Sequence, residues 1–360
     1  MLHLITGATG FLGSHFISTL LKNTSDTFVT FARSSKTMAA PQRVIDALVV
    51  ANDGHLVDVT NLTVMEVDIT LPSFGLKDET LTELRQQDGK KVFWHFAASL
   101  NWEPGRRESV FKNNVTGTQH ALEVASAVDA EIFVYVSTAY TAGTLEGEID
   151  EALHDTVKSF NNVYEESKNA AEWLVHQTAK SGTMRCIIMR PSIIVGTSHN
   201  FKASGSYTGL YGIVRELRRF RKRLGDSTEI VRYRADRSAR LSFIPVDHVV
   251  EDLLTAFKAE LESPTHQIYH ITSQDWNGAP TVGELSDFLN EKLDAVGRIS
   301  LVEQVVENPT PLERFFQTRM DFFTAYLNSR KNFKRTLSSD RRMSTQAIKQ
   351  YIESELRVDA

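Results

Sequence analysis

The sequence predicts an α/β protein with a doubly wound parallel sheet and a smaller, mostly helical C-terminal region. Short apolar runs in the first half have the length and composition of buried strands. Longer stretches with helical periodicity separate them, and this alternation is typical of parallel βαβ units. The apolar runs are Leu2–Thr6, Thr27–Phe31, Thr63–Val67, Val92–Phe96, Ile132–Ser137 and Met184–Arg190. The main helical stretches are Gly13–Leu21, Val110–Ala127 and Tyr164–Ser181.

The composition of the chain excludes several classes of protein. The chain has 360 residues, of which 41% are hydrophobic and 24% charged, so it can bury a sizeable core. Its net charge of −5 argues against a dedicated nucleic-acid-binding protein. A single cysteine, Cys186, excludes an internal disulfide framework and suits a reducing compartment. We expect a cytoplasmic protein, because neither a signal peptide nor an apolar stretch of membrane-spanning length is recognisable.

A glycine-rich loop follows the first predicted strand and opens the first predicted helix. Glycines allow a sharp turn and a close approach of the backbone to a pyrophosphate, and the helix N-terminus offers unpaired N–H groups. We therefore interpret the loop as the phosphate-binding turn of a Rossmann dinucleotide-binding domain, rather than a plain glycine turn. The residues expected to contact the cofactor here are Gly7, Thr9, Gly10, Phe11, Leu12 and Gly13.

The end of the second predicted strand indicates which dinucleotide binds. Sheets that bind NAD usually carry Asp or Glu there, which accepts hydrogen bonds from the ribose hydroxyls. Arg33 stands at this point and Arg43 follows in the same connection, so we expect NADP(H), with the arginines at its 2′-phosphate. The alternative is that both arginines are ordinary solvated charges. Further cofactor contacts after the third and fourth strands are expected from Asp68, Ile69, Ala97, Ala98 and Ser99.

A tyrosine and a lysine lie four residues apart in a predicted helix, so both point from the same helix face. They are Tyr164 and Lys168, and the strand end Ser137-Thr138 precedes them. The lysine ammonium is expected to lower the pKa of the tyrosine, which can then exchange a proton with a carbonyl or alcohol oxygen. This spacing occurs by chance in many helices. Its position after the glycine loop and this strand end makes the pair a candidate catalytic centre.

Together these motifs resemble the extended short-chain dehydrogenase/reductase superfamily, over about residues 1–275 and more loosely to the end. The resemblance implies that Thr138 hydrogen-bonds the reacting oxygen and that Tyr164 is the general acid/base. It implies that Lys168 assists Tyr164 and contacts the nicotinamide ribose. It also implies a largely structural Asn114 near the cofactor. The remaining cofactor contacts that it implies are Ser137, Pro191, Ser192 and Ile193.

Several strings resemble one branch of this superfamily, the thioester reductase domains and fatty acyl-CoA reductases with a male sterility-type NAD(P)-binding domain. The resemblance implies NADPH-dependent reduction of an acyl thioester, on coenzyme A or an acyl carrier protein, to an aldehyde or alcohol. The strings are His95-Phe96-Ala97-Ala98-Ser99-Leu100-Asn101-Trp102, Asn114-Val115-Thr116-Gly117-Thr118 and Arg190-Pro191-Ser192-Ile193-Ile194-Val195-Gly196. The candidate substrate contacts are Asn101, Trp102, Tyr140 and Tyr207.

Other reactions on the same scaffold stay open. One is chemistry at a ketone or hydroxyl of a small molecule, such as a 3-keto acid or a steroid-like or flavonoid-like compound. Another is epimerisation or reduction of a nucleotide sugar. The chain lacks the elimination acid and base of sugar-nucleotide dehydratases, because Ala139-Tyr140 follows Thr138 where those enzymes place Asp-Glu. A sugar epimerase stays possible but fits less well. A non-catalytic NADP(H)-binding protein is a further alternative, and the complete set of Thr138, Tyr164 and Lys168 argues against it.

The chain is expected to divide into several parts. Residues 1–200 form the NADP(H)-binding domain, to which 241–275 return, and 276–360 form a helical substrate-binding region. The basic segment 201–240 is interpreted as a lid that attracts an anionic substrate, or as an ordinary solvated helix. Aromatic residues at 312–327 favour core packing over an acyl-chain pocket or a peripheral membrane contact. We expect no metal site, and a monomer or homodimer.

Overall fold

Strands alternate with helices through the first half of the chain, as the sequence predicts. The computed structural model describes residues 1–157, 159–182, 184–202, 208–225, 227–262, 267–273 and 277–358. The strands are β1 (Leu2–Thr6), β2 (Thr27–Ala32), β3 (Leu62–Glu66), β4 (Lys91–His95), β5 (Ile132–Val136), β6 (Gly147–Ile149), β7 (Arg185–Pro191), β8 (Ile193–Val195), β9 (Val231–Arg234), β10 (Phe243–Pro245), β11 (Ile268–Ile271), β12 (Ile299–Val302) and β13 (Lys331–Phe333). The α-helices are α1 (Phe11–Asn23), α2 (Ala40–Ala51), α3 (Asp78–Gln86), α4 (Arg107–Phe111), α5 (Gly117–Ala127), α6 (Val163–Ser181), α7 (Gly209–Leu224), α8 (Val246–Glu262), α9 (Val282–Lys292), α10 (Pro311–Thr324) and α11 (Thr345–Val358). A π-helical turn, Lys112–Thr116, joins α4 to α5.

The main sheet has the strand order β11-β7-β5-β4-β1-β2-β3, and each neighbouring pair is parallel. From β1 the chain moves outward to β3, then returns to β4 and moves outward on the other side. This reversal is the doubly wound arrangement, and ligands of such sheets bind where the order reverses, beyond the carboxyl ends of the strands. The predicted fold class is confirmed.

Stacked rings fill one face of this sheet. Alternate residues of a strand point to the same side, so rings two residues apart form successive rows. In the first row, Phe31 and Phe93 stack with centroids 5.9 Å apart, and Phe93 and Phe133 stack at 5.4 Å. In the next row, His95 and Tyr135 are register partners whose rings stack at 5.9 Å. Apolar side chains of α5 and α6 cover this face, so the layer is close-packed.

A fully buried ion pair joins α6 to β7. Arg190 Nε and Nη2 donate to the two carboxylate oxygens of Glu172 at 2.9 and 2.7 Å. Arg190 Nη1 also lies 3.0 Å from Nε2 of His154 and 3.5 Å from Nε2 of His270. Bidentate geometry and additional polar neighbours are what a buried pair needs to offset the desolvation of two charges. The pair therefore restricts the rotation of α6 about its own axis.

The structure divides into two compact units. The first unit consists of Met1–Thr144, Glu151–Pro191 and Val250–Ile271. The second consists of Leu145–Asp150, Ser192–Val249 and Thr272–Ala360. The sequence places the end of the cofactor-binding domain near residue 200, whereas in the structure the first unit leaves off after Pro191. The sequence also separates 201–240 from 276–360, whereas the structure puts both segments in one unit, because their apolar side chains share a core.

Helix α7, within the basic segment, is part of that core. Its apolar face is buried, and the Phe220 ring lies 4.4 Å from the Phe316 ring of α10. Basic residues occupy the opposite face, where exposed Arg219 pairs with Glu216. From residue 209 the segment is thus anchored by buried side chains, and its role as a lid stays a prediction. The other buried residues of the apolar face include Leu210, Val214, Leu217 and Leu224.

The aromatic segment at 312–327 contributes to the same core. Phe316, Met320 and Phe323 of α10 are buried, in line with the core-packing interpretation. Phe316 and Met320 also line a small apolar cavity of about 50 Å³ together with residues of α7, α9 and β12. In the part of the chain that the structure describes, no helix is long and apolar enough to cross a membrane.

Removing one partner of the buried ion pair should strongly destabilise the protein. We expect Glu172→Ala to lower the free energy of unfolding by about 3–5 kcal/mol, because the Arg190 guanidinium is left buried without its carboxylate. The control is Arg219→Ala at the exposed pair of α7, which should cost less than about 1 kcal/mol. Urea unfolding followed by circular dichroism measures both. Equally small losses would show that the buried pair does not anchor α6.

Candidate active site

Close backbone contacts in the glycine loop exclude side chains. Gly7 has φ +80°, and a Cβ added there would lie 2.7 Å from the backbone nitrogen of Ala97. A Cβ on Gly13 would overlap the carbonyl oxygen of Gly7. The Gly10 N–H donates to that oxygen at 2.9 Å, just before α1 begins. The loop thus forms a cradle around a helix N-terminus that fits a pyrophosphate. The partly exposed members of this cradle are Thr9, Phe11 and Leu12.

Two arginines and an aspartate meet at the ends of β2 and β3. The Arg43 guanidinium, from α2, donates to the carbonyl oxygen of Arg33, whose own side chain is exposed. Partial burial raises the pKa of Asp68, but hydrogen bonds from Thr70 and the charge of Arg33 outweigh this and hold the pKa below its usual value. The structure therefore brings together the charged residues that the sequence places beside the adenosine half of the cofactor. Ile69, the next residue, is buried.

Asn114 ties the loop after β4 to α6. Its Oδ1 accepts from the Ser99 N–H at 2.6 Å, and its Nδ2 donates to the Ser99 carbonyl at 3.0 Å and to Ser167 Oγ at 2.8 Å. The side chain projects from the π-helical turn, a local widening often found at functional sites. This geometry agrees with a structural role for Asn114. The loop that it holds also contains the partly exposed Ala97 and Ala98.

Two contacts hold α6 against the chain at the end of β5. Lys168 Nζ donates to the carbonyl oxygen of Val136 at 2.6 Å. One residue further along the helix, Asn169 Nδ2 donates to the carbonyl oxygen of Thr141 at 3.3 Å. Thr138 lies between these two anchor points in the sequence. The helix that carries the tyrosine and lysine is therefore fixed beside the strand end that carries the threonine.

Thr138 is buried at the start of the turn after β5. Its Oγ1 accepts from the Tyr140 N–H at 3.3 Å and donates to the Pro191 carbonyl at 3.4 Å. Both distances are long for hydrogen bonds, so they hold the hydroxyl only weakly. The neighbouring Ser137 has a buried Oγ with no hydrogen-bond partner among the described residues. An unpartnered buried hydroxyl is costly, and a bound cofactor or substrate would remove that cost.

The protonation of the tyrosine and lysine differs from the expectation. Desolvation of the partly buried Tyr164 side chain raises its pKa, and the Glu165 carboxylate raises it further. Burial lowers the pKa of Lys168 to about 7, against an opposing effect of Glu172. The prediction that the lysine lowers the pKa of Tyr164 is wrong in this structure. Desolvation disfavours both charged forms, and a lysine that is about half protonated near neutral pH attracts a phenolate less.

Three of the four candidate substrate residues lie in two segments that the structure describes. Asn101 and Trp102 are partly exposed in the segment after β4. Tyr140 is buried in the turn after β5. Tyr207 lies outside the described residues. The expected cofactor contacts after the sixth predicted strand are Pro191, the last residue of β7, buried Ser192, and partly exposed Ile193.

A buried histidine beneath the glycine loop is not identified by the sequence pattern as part of the site. His95 Nδ1 lies 2.7 Å from Thr6 Oγ1, and its Nε2 lies 3.2 Å from Thr118 Oγ1. Burial, with the added charge of Lys168, lowers the pKa of His95 to about 3, so the ring is neutral. The available signal was a polar residue inside an otherwise apolar strand. Among the described residues, no three His, Cys, Asp or Glu side chains are grouped to hold a metal ion.

Comparison with known proteins gives one family. Residues 5–253 match the model of the NAD-binding family described as male sterility protein. Human fatty acyl-CoA reductase 2 is 26% identical over 317 residues, which cover 76% of this chain and 58% of that protein. L-2-aminoadipate reductase of Saccharomyces cerevisiae is 27% identical over 222 residues, which cover 54% of this chain and 15% of that protein. The chain thus spans 58% or less of the length of these two relatives.

A solved structure agrees with this assignment at the level of the fold. The thiolation-reductase di-domain of an archaeal non-ribosomal peptide synthetase superposes with a TM-score of 0.73 at 18% identity, covering 99% of this chain and 75% of that one. The family match and the glycine cradle support a nicotinamide dinucleotide as the cofactor. The superfamily indicated by the sequence motifs is confirmed. The chain belongs to the male sterility protein family of NAD-binding domains, within the extended short-chain dehydrogenase/reductases.

Proposed function

We propose that this chain is an NADPH-dependent reductase that converts an acyl thioester, carried on coenzyme A or an acyl carrier protein, to an aldehyde or alcohol. The observation that carries the proposal is the fixed placement of α6, with Tyr164 and Lys168, beside the strand end with Thr138. The glycine cradle lies on the same sheet. The human and yeast relatives, both named as reductases, support the reaction class.

The residues of the site suit attack on a thioester carbonyl. The reduced nicotinamide, when bound, supplies a hydride to the carbonyl carbon. Hydroxyl groups of Thr138 and Tyr164 donate hydrogen bonds to the oxygen as negative charge develops on it. Because its pKa is raised, Tyr164 stays protonated near neutral pH and can donate its proton to this oxygen. The C–S bond of the resulting hemithioacetal then breaks. The departing thiolate takes up the proton of the hydroxyl group, and the aldehyde remains.

The two arginines at the end of β2 support NADPH rather than NADH. The exposed Arg33 side chain and the Arg43 guanidinium lie at the position where NAD-binding sheets carry an acid. Guanidinium groups bind phosphate with bidentate, charge-assisted hydrogen bonds. The 2′-phosphate of NADPH would place its negative charge beside both guanidinium groups, whereas NADH carries no phosphate at this position.

The second unit has a basic surface that suits an anionic carrier. Arg219 of α7 and Arg319 of α10 are exposed by 60% and 48%, and both lie near Glu216. Arg223 and Arg319 flank the Phe315 ring. Such clustered cations attract the phosphates of coenzyme A or the surface of an acidic carrier protein.

The proposed reaction predicts thioester-dependent oxidation of NADPH. Mixed with acyl-CoA thioesters, free ketones and nucleotide sugars in turn, the protein should consume NADPH with thioesters and form aldehyde or alcohol. Tyr164→Phe should reduce kcat by about 10²–10⁴-fold because the proton donor is lost, while NADPH affinity stays within about twofold. Tyr269→Phe, which removes a buried hydroxyl bound to Glu260, is the control and should stay active. Turnover of ketones or sugars alone, or a fully active Tyr164→Phe, would contradict the proposal.

The cofactor assignment is tested separately. Arg33→Ala should weaken NADPH binding by about tenfold or more, since it removes a charge-assisted contact, and should leave NADH binding nearly unchanged. Arg85→Ala, at an exposed arginine of α3, is the matched control. Dissociation constants from cofactor fluorescence give the comparison. Equal losses for the two cofactors would count against a 2′-phosphate contact.

The buried lysine makes stability depend on pH. The pKa of Lys168 is about 7 in the folded protein and about 10.4 when unfolded. Between these values the unfolded chain binds more protons, so the free energy of unfolding rises with pH. Relative to Lys168→Met, the cofactor-free protein should gain about 2 kcal/mol between pH 7 and pH 9. Urea unfolding at both pH values measures this difference. A parallel response of the two proteins would mean that Lys168 is not desolvated.

A further inference from the structure

The ammonium of Lys168 lies over an aromatic ring. Its Nζ is 4.1 Å from the centroid of the Tyr135 ring, well within the range of a cation–π interaction. The ring is fully buried and Lys168 is 2% exposed, so water does not screen the contact. Desolvated cation–π contacts are stronger than exposed ones. The ring therefore favours the ammonium over the neutral amine.

The position of the ring is fixed from the strand side. Tyr135 is the register partner of His95, and the two rings stack with an interplanar angle of 19°. His95 is in turn held by hydrogen bonds to Thr6 and Thr118. The residue after Tyr135 is Val136, whose carbonyl oxygen accepts from Lys168 Nζ at 2.6 Å. Two consecutive residues of β5 thus define where the ammonium lies.

The other titratable groups that face Lys168 come from its own helix and from β4. On α6 these are Tyr164, which is protonated, and Glu172, one turn further along. Both carboxylate oxygens of Glu172 accept hydrogen bonds from Arg190, so its charge is largely compensated. On β4 the facing group is His95, which is neutral. Among the described residues, the remaining direct partners of the ammonium are therefore the Tyr135 ring and the Val136 carbonyl oxygen of β5.

We propose that Tyr135 is a positioning residue, whose ring face fixes the Lys168 ammonium and favours its charged form. The proposal rests on the proposed function, in which we take Lys168 to assist Tyr164 as the family resemblance implies. It assigns the role to the ring rather than to the phenol hydroxyl. It also separates Tyr135 from the neighbouring rings of the same layer, which contribute packing alone.

Three variants distinguish the effect of the Tyr135 ring face on Lys168 from the effect of losing a buried, packed ring. Tyr135→Phe keeps the ring, and Tyr135→Leu removes it. Phe133→Leu is the matched control, because it removes a buried ring two residues earlier on the same strand and face. Should Tyr135→Leu fail to fold, Tyr135→Met takes its place, since methionine fills irregular space.

The direct readout is the pKa of Lys168 in the cofactor-free protein, followed by NMR of its side chain and assigned with Lys168→Met. We expect Tyr135→Leu to lower this pKa by about one unit, with little change in Tyr135→Phe and Phe133→Leu. The alkaline limb of the kcat profile should move to lower pH by a similar amount in Tyr135→Leu alone.

Three results would overturn the inference. An unchanged pKa of Lys168 in Tyr135→Leu would show that the ring does not favour the ammonium. Equal shifts in Tyr135→Leu and Phe133→Leu would show that packing alone is responsible. Equal shifts in Tyr135→Phe and Tyr135→Leu would assign the effect to the hydroxyl. The NMR measurement needs neither substrate nor turnover, so it tests the inference separately from the proposed function. A Lys168→Met variant with undiminished thioester reduction would instead contradict the proposed function.

Discussion

The candidate active site depends on how α6 is held against the sheet. The Lys168 ammonium binds a carbonyl oxygen of β5, and one turn later the Glu172 carboxylate binds the Arg190 guanidinium of β7. These contacts restrain the helix along and around its axis. Tyr164, one turn before Lys168, is therefore presented at a defined place beside the end of β5. A helix held by apolar contacts alone would be less restricted, because such contacts are not directional.

This arrangement buries the charged groups of Lys168, Glu172 and Arg190, so other groups in the protein must offset the cost of their desolvation. A buried lysine and a buried ion pair both oppose folding unless partners compensate them. For Arg190 the compensation is a carboxylate with bidentate geometry. For Lys168 it is a carbonyl oxygen and a ring face. Burial nevertheless lowers the pKa of this lysine to about 7. Shifted pKa values of this kind are common where side chains carry out chemistry.

Much of the fold and part of the site could be predicted from the sequence because their signals are local. The strands and main helices follow from hydrophobic periodicity. The glycine loop is recognisable because backbone contacts at Gly7 and Gly13 exclude any side chain, whatever the rest of the fold does. The spacing of Tyr164 and Lys168 is likewise set by one turn of helix.

The remaining features depend on contacts between distant parts of the chain. The raised pKa of Tyr164 follows from desolvation of its partly buried side chain, which the spacing of the pair does not determine. The Glu172–Arg190 pair joins different elements, and the stacking of His95 on Tyr135 requires the pairing of β4 with β5. The basic charge of α7 is evident in the sequence, but its packing against α10 is a property of the second unit.

In the proposed reaction, hydride passes from the nicotinamide to the carbonyl carbon of an acyl thioester. The most direct measurement uses NADPH that carries deuterium at both C4 positions, an acyl-CoA thioester and mass spectrometry of the product. We expect one deuterium on the former carbonyl carbon of the aldehyde, and two if reduction continues to the alcohol. Product without deuterium at that carbon, or no thioester-derived product at all, would contradict it.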